Sequence, residues 1–255
     1  MLQAHSLLWH YLWIAPHILE LVLAYVFLRH GLHRQFPAFF TFILFDAIAE
    51  LLLYSLDISP SVGGLTWWHI YLVFAVIEGL LRFGIIAELL RHLLQPWPAL
   101  SQVGRFVVSA VGAILILFAT VNAALKDPNA THILVNTAHY LQQWFFLVQA
   151  GLVVALLAFS RYFHVAWERM AFGIAFGCAL AWCQFLATWT LLSTHLVTGT
   201  RVRLDMANMA VYHVAVLIWL YYGLVPERAR DHATDSPYDP NLDAWNRELE
   251  RILHQ

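Results

Sequence analysis

The sequence has 255 residues, of which 61% are hydrophobic and 12% charged, whereas water-soluble domains are about half apolar and about a quarter charged. This composition excludes a water-soluble fold. A formal net charge of -2 and a single lysine, Lys126, provide no basic surface. We therefore expect no nucleic-acid partner.

The chain contains seven long apolar stretches separated by turn-forming residues. A helix needs about 20 mostly apolar residues to cross a hydrocarbon core about 30 Å thick, and each stretch is long enough. They are residues 10–28, 38–56, 69–90, 106–124, 138–160, 171–194 and 205–225. We predict an all-α polytopic membrane protein in which residues 1–225 form a seven-transmembrane-helix bundle embedded in the lipid bilayer.

The distribution of basic residues predicts the orientation of this bundle, because short cytoplasmic loops retain Lys and Arg. With the N-terminus outside and the C-terminus in the cytoplasm, ten basic residues fall on the cytoplasmic side. They are Arg29, Arg34, Arg91, Arg105, Arg161, Arg169, Arg228, Arg230, Arg247 and Arg251. The outer side holds Lys126, Arg201 and Arg203.

Because 13 of the 14 basic residues are arginine, as in proteins from GC-rich bacteria, we expect a bacterial inner membrane.

Residues 226–255 form the predicted cytoplasmic tail. Pro240 follows Asp239 as a proline in a first helical turn, and apolar residues recur at helical spacing after it. This pattern predicts a short amphipathic helix at about residues 241–254. Acids outnumber bases in the segment, so we expect it to dock on the protein's own basic loops or on a cytoplasmic partner rather than on an anionic leaflet.

Ionisable residues inside the predicted spans are the strongest functional indicators, because a charge at the bilayer centre costs about 3 kcal/mol. Several are three or four residues apart and share a helix face. Counting from the span ends puts most of them in the outer half. The sequence predicts a polar chamber lined by His17, Glu20, Asp46, Glu50, Glu78, Arg82, Gln142, Asn208 and His213. Glu88 lies near the cytoplasmic end of its span, where we expect it to reach the headgroups beside Arg91 or His92.

The charges of this chamber do not balance. Glu20, Asp46, Glu50 and Glu78 oppose Arg82 alone, which leaves an excess of three acids. Acids in a dry site must be protonated, hydrated, or neutralised by a bound cation or cationic ligand. In the alternative interpretation, the carboxyls are neutral and hydrogen-bonded, and the network only fixes the packing of the helices.

The sequence excludes one cofactor and identifies no other. A retinal Schiff base requires a lysine in the last span, and residues 205–225 have none. Haem or a metal would need histidines that face one another at matching depth. The candidates are His17, His69, His139 and His213, although a lone helical histidine is more often a packing residue.

Four classes of function fit these features. The chamber and the docking tail favour a receptor or sensor that binds a small ligand, a cation or protons, which is a binding function rather than a catalytic one. The alternatives are a haem- or metal-binding oxidoreductase or hydrolase, a proton- or cation-coupled transporter, and a structural subunit of a membrane complex. The sequence identifies neither the ligand nor the oligomeric state.

Overall fold

The computed structural model describes residues 6–59, 63–126, 130–163, 165, 167–193, 201–225 and 240–253, and these ranges contain α-helices and no strand. The helices are α1 Leu7–His30, α2 Leu32–Gln35, α3 Pro37–Asp57, α4 Gly64–Leu93, α5 Pro98–Lys126, α6 Ala130–Tyr162, α7 Arg169–Ser193, α8 Arg201–Leu224 and α9 Pro240–Leu253.

The start and end of α1 follow from local chemistry. The side chain of Ser6 accepts a hydrogen bond from the backbone N–H of Trp9 at 3.3 Å, which satisfies one donor of the first turn. Gly31 ends the helix with a φ of 73°, a left-handed conformation that a side chain disfavours. Pro37 occupies the first turn of α3, where its missing N–H costs no hydrogen bond.

Six helices in the described ranges are long and apolar enough to cross a membrane: α1, α3, α4, α6, α7 and α8. This confirms a helical, membrane-embedded protein. The predicted span 106–124 lies on α5, whose described apolar part is the shorter segment Pro98–Ile114. The count of seven spans therefore stays a prediction, as does the orientation.

These six candidate spans form a closed ring. In it α1 packs on α3, α3 on α4, α4 on α6, α6 on α7, α7 on α8 and α8 on α1. Helix α5 packs against α4 and α6 from outside this ring, and α9 packs on α5. Large apolar side chains such as Ile48, Val73 and Leu217 are exposed on the ring helices. An apolar outer surface of this kind is stable in lipid, because the backbone polar groups are satisfied within each helix.

A dense apolar core fills the half of the ring in which α1, the helix that precedes Gly31, ends. Phe27, Phe39, Ile85 and Trp219 are fully buried there and come from four different helices. Helices α7 and α8 approach closely because Gly177 has no side chain, and a Cβ at that position would overlap the indole ring of Trp219.

Glu88 has a different role from the one predicted. Instead of reaching the headgroups, it is 7% exposed, and its two carboxylate oxygens each accept a backbone N–H bond of 3.0 Å, from Ala38 and from Phe39. The first turn of a helix has N–H groups without intrahelical partners and carries partial positive charge, which makes it a good site for a carboxylate. Glu88 thus ties α4 to the start of α3.

The tail helix α9 is joined to α5 by a similar contact. The side-chain oxygen of Asn246 accepts hydrogen bonds from the backbone N–H groups of Ala99 at 3.1 Å and Leu100 at 3.4 Å. Asn246 therefore caps the first turn of α5 from another helix.

Replacing Glu88 with alanine should lower the melting temperature of the detergent-purified protein, because two buried N–H groups lose their acceptor. We expect a loss of about 1–2 kcal/mol, and a smaller loss for Glu88→Gln, which keeps one acceptor oxygen. Glu248→Ala is the control, since Glu248 is exposed and its ion pair in the described structure is the one with Arg251 on α9. An unchanged melting temperature for Glu88→Ala would contradict the assigned contact.

Candidate functional site

A cavity of about 430 Å³ occupies the other half of the ring, the half in which α1, α4 and α8 begin and α3 and α7 end. All six ring helices contribute to its wall, and the described part of α5 contributes nothing. The cavity extends from Asp57 at the last residue of α3 down to Arg82 near the middle of α4. It therefore ends above the apolar core.

Aromatic rings form much of the wall near the Asp57 end of the cavity, which we call its upper part. Trp9 and Trp13 of α1 contact each other edge to face, with ring centroids 4.6 Å apart, and Trp67 stacks on Tyr71 of α4 at 5.1 Å. The indole N–H of Trp13 donates a 3.0 Å hydrogen bond to Glu50. The Glu50 carboxylate thus lies beside an electron-rich ring in this part of the wall.

A cluster of ionisable side chains lies deeper, where α1, α3 and α8 meet. The Nδ1 atom of His17 is 2.9 Å from Glu20 Oε2 and 3.6 Å from Asp46 Oδ2. The hydroxyl of Tyr212 contacts the Glu20 carboxylate and lies 2.7 Å from Asp46 Oδ2. His17, Glu20 and Asp46 are 6%, 0% and 4% exposed, so water cannot screen their charges.

If Glu20 and Asp46 are both ionised, Tyr212 cannot donate a hydrogen bond to each of them. A phenol has one proton to donate, whereas the Tyr212 oxygen contacts two carboxylates. One of these contacts therefore needs a further proton or a nearby cation. Asp46 also lies within hydrogen-bonding reach of Glu78, which adds a third carboxyl to the same network.

Arg82 is the cation of the cavity floor. Its guanidinium donates to Glu78 one turn earlier on α4 and lies 4.6 Å from the ring centroid of Phe146. This arrangement combines an intrahelical ion pair with a cation–π contact. The Nε atom of Arg82 is buried and has no hydrogen-bond partner among the described residues.

The opposite wall carries neutral polar groups. Thr188 of α7 donates a 2.8 Å hydrogen bond to the side-chain oxygen of Asn208 on α8. Gln142 of α6 is 9% exposed and lines the cavity, and its Oε1 atom lacks a partner within the described part of the chain. On α1, Pro16 has no N–H, so the carbonyl of Leu12 receives no helical hydrogen bond from it, and both residues line the cavity.

Most of the residues predicted for the chamber come together. Seven line the cavity: His17, Asp46, Glu50, Glu78, Arg82, Gln142 and Asn208. Glu20 lies behind this wall, bonded to His17 and Tyr212. His213 is elsewhere on α8, beside the ring of Tyr11, and is not part of the lining.

The histidines considered for a metal or haem do not assemble. Of these four histidines, His17 is the one that approaches potential ligands among the described residues, and these are carboxylates. His69 is exposed, with its Nδ1 atom 2.7 Å from the Leu65 carbonyl of its own helix. The side chain of His139 lies outside the described residues.

The sequence analysis missed several aromatic residues of the cavity. Trp9 and Trp67 resemble the aromatic side chains found at membrane interfaces, yet both line the cavity. Tyr212, which bridges two acids, follows Asn208 by one helical turn, and this spacing was the available signal. Trp13 precedes His17 by the same interval.

The fold and the site define an all-helical integral membrane protein that encloses a polar cavity. Comparison of the chain with protein-family models, with curated proteins and with solved structures finds no match in any of the three. The function must therefore be argued from the cavity itself.

Removing Arg82 alone should harm folding more than removing its charge together with that of Glu78. Arg82→Ala leaves a buried carboxylate without its cation, which costs about 3–5 kcal/mol, whereas the double variant Glu78→Gln, Arg82→Gln leaves no charge to compensate. The yield of monodisperse protein after detergent extraction measures the difference. Equal yields would mean that the pair is fully hydrated.

Proposed function

We propose that this protein is a receptor- or sensor-like membrane protein whose cavity binds a small organic cation. The proposal rests on one observation: carboxylates and aromatic rings line the same cavity. Glu50, Glu78 and Asp46 line the cavity with Arg82 as the opposing cation, and Trp9, Trp13, Trp67 and Tyr71 surround its upper part. Carboxylates and electron-rich rings together favour an ammonium group over an anion or a neutral molecule.

The orientation of the bundle determines which compartment supplies this ligand. We place the N-terminus outside, with seven spans in residues 1–225 and the tail 226–255 in the cytoplasm of a bacterium, whose inner membrane holds the protein. The asymmetry of ten against three basic residues supports this placement. In that orientation the cavity opens to the outer side, and α5 supplies the seventh span.

A closed floor favours a receptor over a transporter. Below Arg82, the bundle axis is filled by fully buried side chains such as Phe42, Ile86 and Trp219. The ring helices are also continuous across the membrane, whereas many transporters bind substrate at broken helices. A ligand in this cavity can act on the cytoplasmic side only by moving helices.

The cytoplasmic response would pass through the contacts at the far ends of these helices. Glu88 links α4 to α3, and α5, which packs on α4, is capped by Asn246 of α9. A shift of α4 would therefore be transmitted both to α3 and, through α5, to the tail helix.

Isothermal titration with choline and with its neutral isostere, in which carbon replaces the quaternary nitrogen, tests this function. The two probes have the same shape, so only the charge distinguishes them. We expect wild-type protein to bind choline at least about 10-fold more tightly than the isostere, and Glu50→Gln to lose about 10-fold in choline affinity.

Glu248→Gln serves as the matched control, because it removes the charge of an exposed glutamate on α9. Its choline affinity should equal that of the wild type. Equal affinities for choline and the isostere, or no heat from either probe, would overturn the assignment of an organic cation as the ligand of the cavity.

A further inference from the structure

The deepest part of the cavity contains three groups that are suitable as metal ligands. One oxygen each of Glu20 and Asp46 and a ring nitrogen of His17 lie within 4.8 Å of one another. In a tetrahedral site with bonds of about 2.1 Å, ligand atoms are roughly 3.4 Å apart. The His17 Nδ1 atom is 2.9 Å from Glu20 Oε2 and 3.6 Å from Asp46 Oδ2, so little movement is needed to accept an ion.

The local charge also favours a cation. Two carboxylates that are 0% and 4% exposed adjoin a histidine, and Arg82 is already paired with Glu78. A divalent ion would neutralise Glu20 and Asp46 together. If Glu50 and Glu78 are both ionised, they would then exceed Arg82 by one charge, which matches a monovalent organic cation in the upper cavity.

Two further features show that hydrogen bonds in this cavity are incomplete among the described residues. Tyr212 contacts both carboxylates with a single proton, so one contact lacks a donor in the absence of a proton or cation. The Oε1 atom of Gln142 is buried in the wall of the same cavity and accepts no hydrogen bond from the described residues. An acceptor left unpaired in a buried cavity is costly unless a ligand or water satisfies it.

We infer that His17, Glu20 and Asp46 bind one divalent first-row transition-metal ion, with Tyr212 as an adjacent ligand or hydrogen-bond donor. Imidazole nitrogen with carboxylate oxygen suits Zn²⁺, Mn²⁺ or Fe²⁺ better than Mg²⁺ or Ca²⁺, which prefer oxygen alone. The ion would hold α1 against α3, since it would join residues of both helices. This inference rests on the proposed function in one respect, because both need an open cavity. It does not depend on which organic ligand binds there.

Metal analysis and titration with Zn²⁺ and Mn²⁺ test the site in purified full-length protein stripped with a chelator. We expect one equivalent of metal per chain and a higher melting temperature with metal than without, because binding to the folded state stabilises it. His17→Gln and Glu20→Gln should each lower Zn²⁺ affinity by at least about 10-fold. Mg²⁺ should not compete at equal concentration.

His69→Gln is the matched control, because it removes an exposed histidine that has no carboxylate beside it in the described structure. It should bind Zn²⁺ as the wild type does. Melting curves of the metal-free variants separate lost binding from lost folding: a folded His17→Gln protein with unchanged Zn²⁺ affinity would overturn the inference, as would wild-type protein that takes up no metal.

The choline titration distinguishes the two proposals. Choline binding without Zn²⁺ binding would overturn the metal site and leave the proposed function intact. Zn²⁺ binding without choline binding would overturn the organic-cation ligand and leave the metal site intact. Glu50→Gln should reduce choline affinity in the metal-loaded protein, which ties the two sites to different residues of one cavity.

Discussion

The structure depends on the compensation of negative charge inside an apolar bundle. A carboxylate removed from water is stable only if it is protonated, paired or hydrogen-bonded, and each buried acid here has identifiable partners. Glu78 has Arg82, Glu88 has the start of α3, and Glu20 has Tyr212 and His17. The last group is the one in which partners do not suffice, because one phenol proton serves two acids. That deficit is the basis for assigning a cation to the cavity.

The ring of six helices separates this polar cavity from the apolar outer surface of the bundle. Apolar side chains cover the outside of the ring, and a dense core fills its lower half, where Gly177 allows α8 to approach α7. Among the described residues, this core therefore closes the cavity at its Arg82 end. In the proposed function, binding energy gained in the cavity would be transmitted through helix movement, since the core leaves no path for the ligand.

Local spacing predicted much of this organisation. The three-residue interval from His17 to Glu20 and the four-residue interval from Glu78 to Arg82 place each pair on one helix face, and both pairs are in contact in the structure. The lengths of the apolar segments predicted the helices. The length and hydrophobicity that a helix needs to cross a bilayer can be read from each segment by itself.

Contacts between helices were not predictable in the same way. The approach of Tyr212 to Asp46, and of Glu88 to Ala38, depends on which helices are neighbours, and helical periodicity carries no such information. The absence of the described part of α5 from the cavity wall has the same origin. Composition also does not distinguish an aromatic residue at a membrane interface from one such as Trp67 that lines a cavity.

An acidic cavity that opens to the outer side should react selectively with charged thiol reagents. In a Cys178→Ala, Cys183→Ala background, Met209→Cys places one thiol in the cavity wall. Right-side-out membrane vesicles are treated with membrane-impermeant methanethiosulfonates of either charge. We expect the cationic reagent to react at least about 10-fold faster than the anionic one, because the carboxylates of the cavity attract it. Equal rates, a faster anionic reagent, or reaction only in inverted vesicles would contradict it.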